Sequence, residues 1–483
     1  MTPYILAGAQ NDYAAGGGTE RVLEPGIDIK YSLTSNLTLD GTVNTDFAQV
    51  EVDEEQINLT RFDLFFPEKR PFFLENAGTF QLGTPEQAEL FFSRRIGIDK
   101  SGAQIPIVAG LRLTGKIGRT NLGLLDMQTE RVDRIAPANN FFVGRVSHEF
   151  MKRSSAGLLF VNREATSSGP GTERNRTFGA DLNLGVTDNW TIFTYLAKTE
   201  TPGLGGRDLA GRLLADYNSP LWQTRAGYTE VGENFNPEVG FLRRSGYRKP
   251  EFRLQFSPQV EKGWVRQYEP HMSLERYYDR DGSLESEFQH YDYRMELSNG
   301  SRLGIAYNRY FELLRNPFEI ASSLFIPSGR YGWNQVSANF ASDRSANVFF
   351  DGDYTQGGFY AGDIRTAGAE AGFQTGGKFL ATVRFSNNDV DLPTAHFSTR
   401  LARVKLNYSF TTHSFVQGLL QYNSQTRQFS SNVRFALINT SGTGLFIVYN
   451  ERYDSSSDLG RGPLGLSPLN RALFVKYTHL FDF

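Results

Sequence analysis

Carboxylates and cations crowd one short part of this 483-residue chain: Glu51, Asp53, Glu54, Glu55, Asp63, Glu68 and Glu75 stand close to Arg61, Lys69, Arg70, Arg94 and Arg95. Paired carboxylates are the equipment of a glycosidase, one as acid and the other as base or nucleophile. Nothing in the spacing selects one pair, and the five cations alongside favour ion pairing over acid–base work. The same stretch carries rings. In "FFPEKRPFFLENAGTF", Phe65, Phe66, Phe72, Phe73 and Phe80 interleave with Glu68, Lys69, Arg70 and Glu75. An apolar core excludes such charges and a solvated loop excludes so many rings, so a third environment is implied.

Other chemistry is sought in vain. The six histidines, His148, His271, His290, His396, His413 and His479, are scattered along the chain without the close pairing of a zinc motif. "YYDRDGSLE" starts like a calcium loop, but the twelfth position from Asp279 is His290 instead of a bidentate Glu, which favours a hairpin turn. There is no G-x-S-x-G elbow, and glycine-rich "AAGGGTE" lacks the Lys and Ser/Thr of a phosphate loop. No catalytic constellation, cofactor site or metal site is expected. With 50 basic against 53 acidic residues there is no basic excess for nucleic acid. Cysteine is absent, which excludes disulfides and thiolate metal sites.

The elements that must position these residues are strands. The chain holds 39 Phe, 22 Tyr and 48 Gly, a balance that suits sheets, and no apolar run approaches the roughly 20 residues of a membrane-spanning helix. From about Ile105 onward, alternation with a period of two dominates. In "FLATVRFS", Phe379, Ala381, Val383 and Phe385 share one face; in "ARVKLNYSF", Ala402, Val404, Leu406, Tyr408 and Phe410 oppose Arg403, Lys405, Asn407 and Ser409. Short turns such as "TSN", "MKRSS", "TDN", "TGGK" and "TTHS" alternate with longer connections such as "REATSSGPGTERNR" and "GENFNPEVGFLRRSGYRKP". About 24 strands are expected, within 20–26, with both termini on the short-turn side: the topology of an all-β, antiparallel outer-membrane barrel. A soluble sandwich or propeller is the alternative. Trp190, Trp222 and Trp264 just after short turns, and Trp333 near the opposite end of its strand, suit the aromatic girdles of a membrane barrel.

Residues 47–103 form an insertion far above ordinary loop length, within a single barrel domain covering 1–483. A barrel this size encloses more lumen than its wall side chains fill, so the insertion is expected to fold inward as a plug, constriction or lid. Its candidate residues are Glu51, Asp53, Arg61, Asp63, Glu68, Lys69, Arg70, Glu75, Arg94 and Arg95. Pro67 and Pro71 bracket "EKR", which favours a turn there over a continuous helix.

The carboxyl-terminal "LFVKYTHLFDF" puts Leu473, Val475, Tyr477, Phe481 and Phe483 on one face; it resembles the signal by which the barrel assembly machinery reads bacterial outer-membrane proteins, with Tyr477, Phe481 and Phe483 as its aromatics. "DFAQVEVDEEQINLTRFDLFFPEKRPFFLENAGTF", "LFFSRRIG" and "ENFNPEVGFLRRSGYR" resemble the hallmark segments of the outer-membrane barrel family filed as domain of unknown function 5916. Longer members of that family resemble a two-part protein with a signal peptide and a family 9 carbohydrate-binding-like domain before the barrel. "NTDF" departs from the family's Asn-Pro-Asp-Phe at Thr45. The amino-terminal "MTPYILAGAQ" has no basic n-region or apolar h-region, so an exported protein of this sequence is expected to be a mature or truncated form. The partners expected are outer-membrane lipid, the assembly machinery, and a small solute or oligosaccharide. The functions to be separated are a channel or transporter, a surface or assembly protein anchored by its barrel, and an outer-membrane hydrolase.

Overall fold

The computed structural model describes all residues except 14–16, 46–51, 100–101, 172, 322, 440–442, 456–465 and 483; Glu51 and Phe483 therefore lie outside the described residues. Twenty-four strands form one antiparallel sheet, and the first, Thr2–Asp12, pairs with the last, Ser467–Thr478, to close it. Closure leaves no edge, so every ladder bond is satisfied within the chain.

The alternation read from the sequence sorts polar from apolar across the wall, with the apolar side outward. Val383 and Phe385 are exposed, as are Leu406, Tyr408 and Phe410. So are Leu23, Leu158, Leu196 and Ile305, on strands spread around the ring. A water-soluble barrel would turn these inward; an outer band of Leu, Val, Phe and Tyr is what lipid requires. Among the described residues no helix is long and apolar enough to cross a membrane.

One rim carries the short turns and both termini, where the Phe481 N–H donates to the Met1 carbonyl at 2.8 Å. The other rim carries the long connections, with exceptions. The turns after Phe359, Leu392 and Asn423 are as tight as those opposite. At the first of these, Tyr360 takes a φ of 51° and sets its ring 4.8 Å from that of Trp333.

The inward face is divided. Strands between Ile107 and Val231 turn apolar residues inward, and Leu125, Met127, Val143, Val161, Tyr195 and Ala210 pack with Phe73, Phe80, Leu82, Leu90 and Ile96 of the insertion. Two wall glycines permit the close approach. A Cβ on Gly179 would come within 2.7 Å of Leu82 and 2.8 Å of Leu90, and one on Gly123 within 2.8 Å of Thr79. Gly179→Leu should therefore displace the insertion while the strand ladder persists. The expected result is a protein still heat-modifiable in SDS whose insertion is cut faster by trypsin; an unchanged cleavage rate would remove the contact's role.

Candidate functional site: a segment packed across the lumen

The insertion leaves the barrel after strand Leu37–Thr45 and rejoins it at strand Ile107–Ile117. It lies inside the lumen, in contact with both sides of the wall. On one side is the apolar cluster just described. On the other, Glu54 pairs with Arg403 and Lys405, the Glu55 N–H donates to the Gln421 side chain at 2.8 Å, and Asn423 donates to the Glu55 carboxylate at 3.1 Å. Between them, Arg61 reaches two wall carboxylates, Glu285 at 2.8 Å and Glu312 at 3.2 Å.

The segment's local structure follows from its prolines and charges. Pro71 opens the one-turn helix Pro71–Leu74, with Arg70 as its extended N-cap and no backbone N–H lost at the first position. Glu68 accepts bonds from the Arg70 guanidinium at 2.6 and 2.8 Å, from the N–H groups of Lys69 and Arg70 at 3.0 Å, and from the Ser93 hydroxyl at 2.8 Å. The other edge of Arg70 donates to the carbonyls of Ile96 at 2.6 Å and Ser93 at 2.8 Å. Arg70 is only 4% exposed. This node joins the "PEKRP" turn to the "FFSRRIG" turn.

The interleaved rings now have an explanation. Guanidinium edges bond carboxylates while their faces lie over aromatic rings: Arg70 over Phe73 at 4.3 Å, Arg61 over Phe62 at 4.8 Å, and wall residue Arg112 over Phe72 at 4.9 Å. A desolvated cation gains most from both contacts together. Arg112, itself buried, also pairs with Asp40 at 2.7 Å and Glu75 at 3.2 Å.

The expected site residues fall into four groups. Asp53, Asp63, Arg94 and Arg95 line a lumenal cavity of about 810 Å³, whose far wall includes Gln421, Asn432, Asn450 and Arg452. Asp53 pairs with Arg94, and Arg95 donates to the Gly240 carbonyl at 3.4 Å. Arg61 lines a second cavity. Glu68 and Arg70 are internal to the segment, where Lys69 donates to the Val52 carbonyl at 2.9 Å instead of to a carboxylate. Glu75 faces Lys30 and Arg112 of the wall.

A second segment, between Val231 and Tyr247, was not foreseen as part of the site. It turns inward, buries Phe235 and Val239 in the same cluster, and adds strand Phe241–Leu242 to the small sheet of Gly83–Thr84 and Ala88–Glu89. Its Arg244 lies over Phe62 at 4.4 Å and Tyr277 at 4.1 Å. The length of "GENFNPEVGFLRRSGYRKP" was the available signal.

Three tryptophans, Trp190, Trp222 and Trp264, are exposed at the short-turn rim, where a girdle would lie. Trp333 does not join them. It shares the inward face of its strand with Gln335 and stacks on Tyr310 at 5.3 Å and 14°. With Arg61, Phe62, Arg244, Tyr277, Tyr360, Thr366 and Asn388 it lines the second cavity, of about 590 Å³, and its buried indole N–H has no partner among the described residues. Parity within the strand decided this, and nearness to a strand end did not. Nor are the histidines all dispersed: His271 and His290 meet on the lumenal wall beside Asp292.

Burial pushes the Glu68 carboxyl up, but the bonds from Arg70 and Ser93 outweigh it and hold the group below the usual carboxylate range. Bonds to Lys30 and Arg112 do the same at Glu75. A carboxyl depressed on docking stabilises the docked form above its ordinary value of 4.5, and that contribution is lost as pH falls through the depressed value. Acidification from neutral to below the usual carboxylate range should therefore loosen the segment reversibly. Faster hydrogen exchange in residues 52–99, with the strands still protected, is the expected signature; equal protection at both pH values would contradict it.

The family model described as Domain of unknown function (DUF5916) matches residues 1–109, which include two of the three hallmark segments. Among curated proteins nothing matches. Solved structures share the barrel only in outline. A ferric enterobactin receptor mutant from Pseudomonas aeruginosa is 10% identical, covering 100% of this chain and 80% of its own, with a TM-score of 0.45. The siderophore receptor PiuA from Acinetobacter baumannii is 8% identical over 78% of this chain and 80% of its own, with a TM-score of 0.44. OccAB4 from Acinetobacter baumannii is 10% identical over 99% of this chain and 97% of its own, with a TM-score of 0.33.

Proposed function

We propose that this chain is a bacterial outer-membrane barrel that transports, or gates the passage of, a small solute, with residues 52–99 of the insertion as its plug. The observation that carries this reading is the position of the insertion, held inside the lumen by ion pairs to one side of the wall and an apolar cluster to the other. The outward apolar band supports the membrane location.

The carboxylates act structurally in this proposal. Glu54, Glu68 and Glu75 are each committed to cations, so none is poised as an acid or base, and no enzymatic step is assigned. The solute class follows from the second cavity. The rings of Trp333, Tyr310, Tyr277 and Tyr360 line it, stacked in part on one another and under Arg244, Thr366 and Asn388 offer hydrogen bonds, and the unpartnered indole N–H would be satisfied by a hydroxyl. Flat faces with a few polar groups suit an oligosaccharide. Purified protein in liposomes should admit oligosaccharides, and Trp333→Ala should slow their entry relative to that of salt. Liposomes impermeable to every solute tried, including salt, would overturn the transport reading.

A further inference from the structure

Strands Val265–Tyr278 and Leu284–Leu297 form a hairpin whose register sets His271 opposite Asp292 and Ser273 opposite His290. The four side chains share the lumenal face, since Tyr291 and Tyr293 between them are exposed outward. We propose that His271, His290 and Asp292 bind a transition-metal dication of the Zn²⁺ or Cu²⁺ class within the barrel.

The geometry supplies the reason. The Nε2 atoms of His271 and His290 lie 3.1 Å apart. Asn308 turns its amide nitrogen to the Ser337 hydroxyl at 3.3 Å, so its carbonyl oxygen faces His290 Nδ1 at 2.6 Å. An acceptor there requires His290 to carry its proton on Nδ1. His271 Nδ1 likewise faces the Glu269 carbonyl at 3.5 Å. Both Nε2 lone pairs are thus left pointing at each other, an arrangement that favours an electrophile between them. Two imidazoles on one tetrahedral ion at about 2.0–2.1 Å would hold their nitrogens roughly 3.3 Å apart, close to the separation present.

The third donor is also prepared. Asp292 is 6% exposed, and its Oδ1 is buried with no partner among the described residues. Its Oδ2 lies 3.6 Å from His290 Nε2 and 3.4 Å from Arg294. All three donor atoms fall within 4.8 Å of one another. Two imidazoles and one carboxylate suit zinc or copper better than the all-oxygen preference of magnesium or calcium, and three protein ligands leave a position for water or a passing donor. Asn308 and the Glu269 carbonyl serve as orienting partners, which metal-binding histidines ordinarily have. The site does not depend on whether the barrel conducts.

The test uses the full chain, without a histidine tag, folded in detergent and titrated with Zn²⁺ alone by calorimetry and with Co²⁺ by visible absorption. One saturable Zn²⁺ per chain is expected, with Co²⁺ bands of a low-coordinate nitrogen and oxygen site. Asn308→Ala removes no ligand but frees the His290 tautomer, and should weaken binding about 10- to 100-fold. His271→Ala and His290→Ala should weaken it at least as much, while His148→Ala and His413→Ala should not change it. Heat-modifiability in SDS shows that each variant remains a folded barrel. Absence of saturable binding in the wild type, or unchanged affinity in a folded His271→Ala, His290→Ala double variant, would overturn the site and leave a simple imidazole–imidazole hydrogen bond.

Discussion

Deleting residues 52–99 should leave a barrel that still inserts and still resists SDS before boiling, but that conducts roughly ten-fold more than the intact chain, because the wall of a barrel this wide cannot fill its own lumen. The barrel should survive because its closure rests on strand ladders running from Thr2–Asp12 to Ser467–Thr478, none of which passes through the insertion. The apolar wall residues Leu125, Val143 and Val161 would then face water, so some loss of thermal stability should accompany the gain in conductance. Planar-bilayer recordings on both proteins check the expectation. Equal conductance from two properly inserted barrels would show that the segment obstructs nothing, and a surface or assembly role for the barrel would take precedence.

The largest effect of a single side chain is expected at Arg70. Arg70→Ala leaves Glu68, whose side chain is 9% exposed, without its cation, and removes a donor from the carbonyls of Ile96 and Ser93, the latter keeping the Ile96 N–H. Breaking a buried pair from one side costs about 3–5 kcal/mol, enough to shift the segment from docked to largely undocked if its docking is of similar strength. Arg70→Lys should recover only part, since one ammonium cannot bond Glu68 and both carbonyls in the same fork geometry. Limited proteolysis should show the segment released in Arg70→Ala, less so in Arg70→Lys, with the barrel melting transition lowered no further than by deletion of residues 52–99. A larger drop in barrel stability than the deletion causes would mean that Arg70 supports the wall instead.

How much of this could be read in advance differs by element. The strands, their number and the short-turn rim were legible because a wall with lipid on one side and water on the other enforces strict alternation, as in Phe379 to Phe385. The insertion was legible from its length and from charges that no core would accept. The partners of those charges were not. Arg61 meets Glu285 and Glu312 more than 200 residues away, and only closure of the ring brings them together. Trp333 was misplaced because position along a strand says nothing about face, while its parity with Gln335 did. The His271–His290–Asp292 cluster was within reach: once "YYDRDGSLE" was read as a hairpin turn, counting back along both strands sets these residues on neighbouring rungs.

The central claim is that the segment closes the lumen by staying docked, and the chain's lack of cysteine allows a direct test. A Cβ on Gly123 would lie 2.8 Å from Thr79 Cγ2, so Thr79→Cys with Gly123→Cys places two thiols at disulfide distance between plug and wall. Single-channel current should be measured in this double variant, oxidised and then reduced, at neutral pH and as the pH is lowered stepwise below the usual carboxylate range, through which the depressed carboxylates take up protons. The reduced protein should open on acidification and the oxidised protein should stay closed, with reduction restoring the opening. Equal currents at acid pH before and after reduction, in a protein shown to carry the disulfide, would contradict the account.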